Sequence, residues 1–151
     1  MQQPQQQKEL DDRQSLRDLD GIYVDVDGIP PLAGKQGLSA ERLQGDVESQ
    51  LRRAGVEVLP MGHFRTGDPH LQIVVSISEV QGRTVASRVE VNFVQICFLR
   101  RNPTVTFNRA RTWNANTTVS LGPEAQLADR IRRETARQVE QFIADYWQAN
   151  R

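Results

Sequence analysis

Two histidines and a nearby carboxylate are the first side chains in this sequence that could do chemistry. His63 and His70 flank Asp68, and imidazole and carboxylate groups are common metal ligands. Their spacing matches no familiar metal site, and residues 61–70 are a polar connection that offers no rigid support for ligands. We therefore expect surface histidines here, with no bound metal and no cofactor.

Other reactive residue types give no catalytic pattern. Cys97 is the only cysteine, so no disulfide can form within the chain. It lies in an apolar stretch, where a small buried side chain is more common than a reactive thiol. The glycines around Lys35 lack the Walker spacing and the following Ser or Thr of a phosphate-binding loop. No GxSxG, HExxH or GxGxxG motif occurs, so we predict no catalytic residue.

A group of arginines is the strongest candidate for a functional surface. Lysine plus arginine and aspartate plus glutamate number 19 each, so no overall field would recruit nucleic acid or an anionic membrane. Between Glu90 and Glu124, however, there is no acidic residue. Arginine and tryptophan are enriched at binding hot spots. The candidate partner-binding residues are Arg100, Arg101, Arg109, Arg111 and Trp113.

These arginines lie in residues 71–120, which side-chain alternation predicts to be three antiparallel strands. The turns are at Gln81-Gly82 and Asn102-Pro103. The third strand, up to Thr118, is the most polar. The apolar positions of the first strand recur at every second residue and are Leu71, Ile73, Val75 and Ile77.

The second strand contains an irregularity. Its apolar residues alternate as far as Phe93 and then change parity. Because successive side chains of a strand point to opposite faces, we predict a β-bulge near Phe93. The predicted hairpin then places the following residues on one face: Val94, Ile96, Phe98, Phe107, Arg109 and Arg111.

Two interpretations of the arginines stay open. In the first, Asp25 and Asp27 on an earlier strand pair with them, and such cross-strand ion pairs need no ligand. In the second, the hairpin presents them to a partner.

The rest of the chain predicts a strand, a helix and a short strand before residue 71, and a long helix after residue 120. Leu19–Val26 alternates as a strand. Ser39 is the N-cap of an amphipathic helix that ends at Gly55, and residues 56–59 return as a short strand. From Pro123 onward, apolar residues recur at spacings of three and four over ~25 residues. The charged residues expected on the solvent face of this last helix are Arg130, Arg132, Arg133, Glu134, Arg137 and Glu140.

The predicted fold class is α+β. It consists of a mostly antiparallel sheet of about five strands, β-α-β and then a β-meander, with two helices packed on one face. The length of 151 residues suits one domain. Residues 1–15 are Gln-rich and predict a flexible leader, and residues 16–150 form the domain. A polar leader after a lone methionine is also what remains once a signal peptide has been removed.

Four stretches of the sequence resemble a known group of proteins. They are GLSAERLQGDVESQLRRAGVEVL, PHLQIVVSI, Thr112-Trp113 and VEQFIADYWQAN. Together they resemble a group of small, uncharacterised bacterial proteins that usually carry a signal peptide, over about residues 16–150. The resemblance implies an α+β fold and a periplasmic or secreted location, and it implies no activity.

We therefore expect a non-catalytic, cell-envelope-associated binding or scaffold protein with an unknown protein or envelope partner. We expect no nucleic-acid binding, and no apolar run approaches the ~20 residues of a membrane-spanning helix. A homodimer through the hairpin is one option, because an uncovered strand edge invites pairing. Two alternatives stay open, an enzyme with an unrecognised site and a cytoplasmic protein-interaction domain.

Overall fold

The computed structural model describes residues 12–62 and 65–151, and its five strands form one open sheet. A helical turn over residues 12–14 comes first, and a 3-10 turn, Glu124–Gln126, precedes the last helix. The predicted α+β class is confirmed. The elements in chain order are β1 (Tyr23–Val26), α1 (Pro31–Gly34), α2 (Ala40–Arg53), β2 (His70–Gln81), β3 (Thr84–Leu99), β4 (Asn102–Asn114), β5 (Val119–Pro123) and α3 (Leu127–Ala149).

Strand β3 is the centre of the sheet. The strand order is β1-β2-β3-β4, with β1 parallel to β2 and β3 antiparallel to both of its neighbours. β5 also pairs antiparallel with β3, through residues 84–88. Since β2 occupies one edge of β3 along residues 84–94, β4 and β5 share the other edge.

One face of this sheet and the two long helices enclose the core. α2 packs against β1, and α3 lies across β3. Ser39 caps α2 as predicted, since its hydroxyl accepts a hydrogen bond from the Arg42 amide at 3.1 Å. Each fully buried large apolar side chain contributes about 1.5–3 kcal/mol. The buried residues of the predicted faces are Leu71, Ile73, Val75, Val89, Val91 and Phe93 on the sheet, Leu43, Val47 and Leu51 on α2, and Leu127, Ile131, Thr135, Val139 and Phe142 on α3.

The short strand predicted at residues 56–59 is reduced to a single bridge. Val58 pairs with Ile22 in parallel, and two backbone hydrogen bonds link the segments, from Ile22 to Glu57 and from Leu59 to Ile22. Pro60 follows at once and cannot donate to a ladder. The fifth strand is instead β5, which the sequence analysis did not identify.

Arg130 is buried, although the sequence predicted it on the solvent face of α3. It is 7% exposed. Its guanidinium donates to the carbonyl oxygens of Ser120 and Val85, both at 3.1 Å, and of Gly122 at 3.2 Å. Burial lowers the pKa of Arg130, and the nearby positive charge of Arg133 lowers it further. The guanidinium can occupy this site because it has five donors for the carbonyl groups around β5.

A side chain of α3 completes the hydrogen bonding of β3 where β4 and β5 leave a gap. Residues 89–91 of β3 pair with neither strand on that edge. The Gln138 amide donates to Val89 O at 2.7 Å and accepts from Val91 N at 3.0 Å. Gln138 is fully buried, so these bonds form away from water.

The N-terminal segment packs against the end of α3. Of the predicted flexible leader, residues 1–11 lie outside the described residues, whereas residues 12–15 contact the domain. Arg13 Nε lies 3.0 Å from Asp145 Oδ1. Leu16 is fully buried, and its carbonyl oxygen accepts a hydrogen bond from Asn150 Nδ2 at 2.8 Å. Within the described residues, no helix combines the length and the apolar character needed to cross a bilayer.

Candidate functional site

A row of four paired residues crosses the sheet on the face away from the helices. Tyr23 pairs with His70, His70 with Val94, and Val94 with Arg111. Directly paired residues project from the same face. The row therefore runs from β1 to β4, and we call this the outer face.

Two bulges bend the β3–β4 hairpin over the outer face. The register shifts between Phe93 and Val94 and again between Gln95 and Cys97. The first shift lies near Phe93, where a bulge was predicted. Its extra residue is Thr112 on β4, because Phe93 and Val94 are consecutive while their partners Trp113 and Arg111 are two residues apart. β3 itself stays in register with β2 through Val94, so the predicted position is confirmed and the predicted strand is wrong. Bulges bend a strand and increase its twist. Together, the two bulges change the direction of the hairpin beyond Cys97.

An ion pair shows how far the hairpin bends. Arg109 Nη2 on β4 lies 3.1 Å from Asp25 Oδ2 on β1. β2 and β3 lie between these strands in the sheet, and three strand spacings amount to about 14 Å. Arg109 therefore contacts Asp25 across the outer face. The structural interpretation of the arginines applies to Arg109, whereas Asp27 accepts a hydrogen bond from Gln72 at 2.8 Å.

Beyond its last pair with β2, β3 continues with β4 as a two-stranded extension, residues 95–110, which we call the arm. Its base is tied to the segment before β2 by a hydrogen bond from Ile96 N to Gly67 O at 2.7 Å. Its distal part is open to solvent. Phe98 is 65% exposed, Phe107 49% and Val105 38%. Large apolar side chains are usually buried, so this cluster is a candidate contact surface.

All four predicted partner-binding arginines are exposed, and three of them differ from Arg109 in their surroundings. Arg100 and Arg101 lie at the turn of the arm, and Arg111 lies at its base. Among the described residues, none of the three is within ion-pair distance of a carboxylate. Their binding of a partner stays a prediction.

Trp113 lies in the core, so it does not belong to this exposed surface. It is 3% exposed and packs edge-on against Phe142, with ring centroids 5.2 Å apart. Its Nε1 donates to Asp145 Oδ2 at 2.9 Å. The reason is the first bulge. Trp113 pairs with Phe93 on the near side of the bulge and therefore faces the helices.

The second bulge corrects the predicted face of Phe107. Phe107 pairs with Cys97, and Phe98 pairs with Thr106. Neighbouring residues of a strand point to opposite faces, so Phe98 and Phe107 lie on opposite faces of the arm, not on the same face. Cys97 is half-buried, and burial raises the pKa of its thiol. A raised thiol pKa lowers the fraction of reactive thiolate.

The outer face carries a cluster of ionisable side chains that consists of His70 and Asp68, which the sequence indicated as possible reactive groups, and Tyr23, which it did not. The rings of Tyr23 and His70 stack at 4.9 Å, and His70 Nε2 lies 3.0 Å from Asp68 Oδ1. Among the described residues, the buried Tyr23 hydroxyl and His70 Nδ1 have no hydrogen-bond partner. A carboxylate, an imidazole and a phenol can do acid–base chemistry, but Tyr23 is only 3% exposed. Tyr23 and His70 are neighbours because β1 pairs with β2 in this register, and the sequence does not reveal the register.

The side chains considered as metal ligands in the sequence were His63, His70 and Asp68. His63 lies outside the described residues. Within residues 12–62 and 65–151, no group of three or more potential ligand side chains is arranged to hold a metal ion.

A cleft of about 440 Å³ lies between α2 and α3. Arg132 on its wall donates to both oxygens of Asp46, at 2.7 and 3.1 Å. Arg53, Arg133 and Asp129 also line it. Both signs of charge therefore line the cleft.

No family model matches this chain, and no curated protein matches it in sequence. It is similar to two solved bacterial structures. A minor lipoprotein from Acinetobacter baumannii is 11% identical, with a TM-score of 0.37, and the match covers 83% of this chain and 89% of that chain. A candidate lipoprotein from Caulobacter crescentus is 15% identical, with a TM-score of 0.34, and the match covers 95% of this chain and 96% of that chain. Both likenesses are too distant to indicate a function.

Proposed function

We propose that this protein is a non-catalytic, cell-envelope-associated binding protein whose contact surface is the arm. The observation that carries the proposal is the exposure of Phe98 and Phe107 beside Arg100 and Arg101. Large apolar side chains exposed among polar residues mark interaction sites, and the two phenylalanines supply one such contact on each face of the arm. Aromatic and arginine side chains are also the types enriched at binding hot spots.

The location and the non-catalytic character have separate support. The envelope location rests on the resemblance of four sequence stretches to exported bacterial proteins. The non-catalytic character rests on the lack of a catalytic motif and on the burial of Tyr23, which restricts access to the acid–base group of the outer face.

Site-specific photo-crosslinking tests the proposal. The full chain would carry benzoylphenylalanine in place of Phe98, or of Phe107, in the bacterium that encodes it. Leu121 is the matched control position, because it is apolar, 64% exposed and located on β5, away from the arm. We expect covalent adducts from both arm positions in the envelope fraction, and none from position 121.

Two results would contradict the proposal. Equal adduct formation at positions 98, 107 and 121 would mean that the arm is not a distinct contact surface. Recovery of the protein in the cytosolic fraction alone would contradict the envelope location. An adduct of twice the chain mass would identify the predicted homodimer as the partner.

A further inference from the structure

The arm exposes aromatic side chains on both of its faces. The pairing of Cys97 with Phe107 and of Phe98 with Thr106 places the two phenylalanines on opposite sides. Phe98 is 65% exposed and Phe107 is 49% exposed. A flat protein surface can cover only one face of a two-stranded arm. The fluid headgroup region of a lipid bilayer, in contrast, surrounds an inserted arm on every side. The arrangement therefore favours a lipid surface over a flat protein surface.

The charge of the arm indicates the sign of that surface. Arg100 and Arg101 lie at the turn, next to Phe98, and residues 91–123 contain no carboxylate. Anionic lipid headgroups attract nearby arginines, and the gain in partitioning is about fivefold for each charge. The chain has no net charge. This does not oppose the attraction, because an exposed charge interacts mainly with charges within a Debye length of about 10 Å.

The charge of Arg111 opposes a second copy of the chain as the occupant. β4 is an edge strand of the sheet. Pairing two β4 edges would bring Arg111 of both copies, which has no carboxylate within ion-pair distance among the described residues, into one small sheet. Like charges opposite one another are destabilising, and the two bulges make the edge irregular.

We infer that the tip of the arm docks on an anionic lipid bilayer. Phe98 and Phe107 enter the headgroup region on either side of the arm, and Arg100 and Arg101 bind lipid phosphates. This inference rests on the proposed function, because it names the partner class of the same surface.

Vesicle co-sedimentation at low salt tests the inference. The full chain is mixed with vesicles of phosphatidylcholine containing phosphatidylglycerol, or with vesicles of phosphatidylcholine alone. We expect about 25-fold stronger partitioning to the anionic vesicles, because two arginines contribute about fivefold each. Added salt should weaken the binding. Equal partitioning to both vesicles, or to neither, would overturn the inference.

Matched variants test whether vesicle binding depends on the arm or on general adsorption of the protein surface. Arg100→Gln with Arg101→Gln should remove the preference for anionic vesicles, and Phe98→Ser with Phe107→Ser should lower partitioning about tenfold or more. The apolar control replaces two exposed residues of β5, and the charge control replaces two exposed arginines outside the arm. They are Val119→Ser with Leu121→Ser and Arg83→Gln with Arg133→Gln. If the controls lose binding as strongly as the arm variants, the inference fails.

Tryptophan reporters test insertion from both faces. Phe98→Trp and Phe107→Trp would each be exposed to vesicles containing brominated lipid. We expect quenching of the added tryptophan in both variants. Quenching in only one would overturn two-sided insertion. If positions 98 and 107 form adducts with a protein in cells and the chain binds no vesicle, the proposed function stands and the lipid inference fails.

Discussion

Gln138 shows how one side chain can satisfy a strand edge. Its amide makes the two hydrogen bonds, to Val89 O and from Val91 N, that a neighbouring strand would otherwise make. Its Nε2 also lies 2.9 Å from Glu134 Oε1. That carboxylate has a pKa below its ordinary value, mainly because Arg137 donates hydrogen bonds to it. Glu134 is therefore charged at neutral pH and orients the Gln138 amide.

Replacing Gln138 by leucine should destabilise the protein by about 2–6 kcal/mol. The substitution leaves one buried N–H and one buried C=O without partners, and each costs about 1–3 kcal/mol. Gln148→Leu is the control, because Gln148 lies on the same helix and is exposed. It should change the free energy of unfolding by less than about 0.5 kcal/mol. Denaturant unfolding measures both values, and equal losses would contradict the role of Gln138.

For individual side chains, the sequence predicted a contact only where residues of opposite charge lay on predicted strands. The pairing of Arg109 with Asp25 was among the open interpretations, because the first strand carries two carboxylates. The burial of Trp113 was not foreseen, because its face depends on which side of a bulge it lies. The burial of Arg130 was missed since helical spacing marks a charged residue as exposed and does not show nearby carbonyl groups.

Among the elements, helix α2 gives a direct test of a predicted cap. Ser39→Ala removes the hydrogen bond to the Arg42 amide and should lower the free energy of unfolding by about 1 kcal/mol. Ser49→Ala in the same helix is the control, because Ser49 is exposed and inside the helix. Alanine is favoured at such a position. Thermal unfolding of the two variants compares them, and equal stability would contradict the capping role.

Elements whose burial follows a simple period were predicted. β4 is exposed along most of its length and was predicted from the Asn102-Pro103 turn and its strand-forming residues, whereas β5 was not predicted. β2, β3 and α3 bury every second residue or every third and fourth, so their patterns appear in the sequence. β5 has the reverse pattern, because Val119 and Leu121 are exposed while Ser120 and Gly122 adjoin Arg130. No apolar alternation towards the core therefore marks β5 as a strand.

In the molecule as a whole, the segment of residues 12–18 packs against the end of α3. The Asp18 amide donates to Asn150 Oδ1 at 2.9 Å, and Leu16 lies in the core beside the end of α3. Leu16→Ala should lower the free energy of unfolding by about 2–5 kcal/mol, because it leaves a cavity. Leu121→Ala is the exposed control and should cost less than about 0.5 kcal/mol. A similar small loss for both, measured by denaturant unfolding, would mean that the segment is dispensable.

α3 follows every strand of the sheet in chain order, and this order affects how a newly made chain folds. The β2–β3 hairpin closes a short loop and can form early, whereas β5 must return to β3 from residues 119–123. Until α3 has left the ribosome, Ile73, Val89 and Val91 have no helix to cover them. A chain that pauses at this stage presents an apolar sheet to its surroundings, and such sheets aggregate. Chaperone protection is therefore most needed until α3 can pack on the sheet.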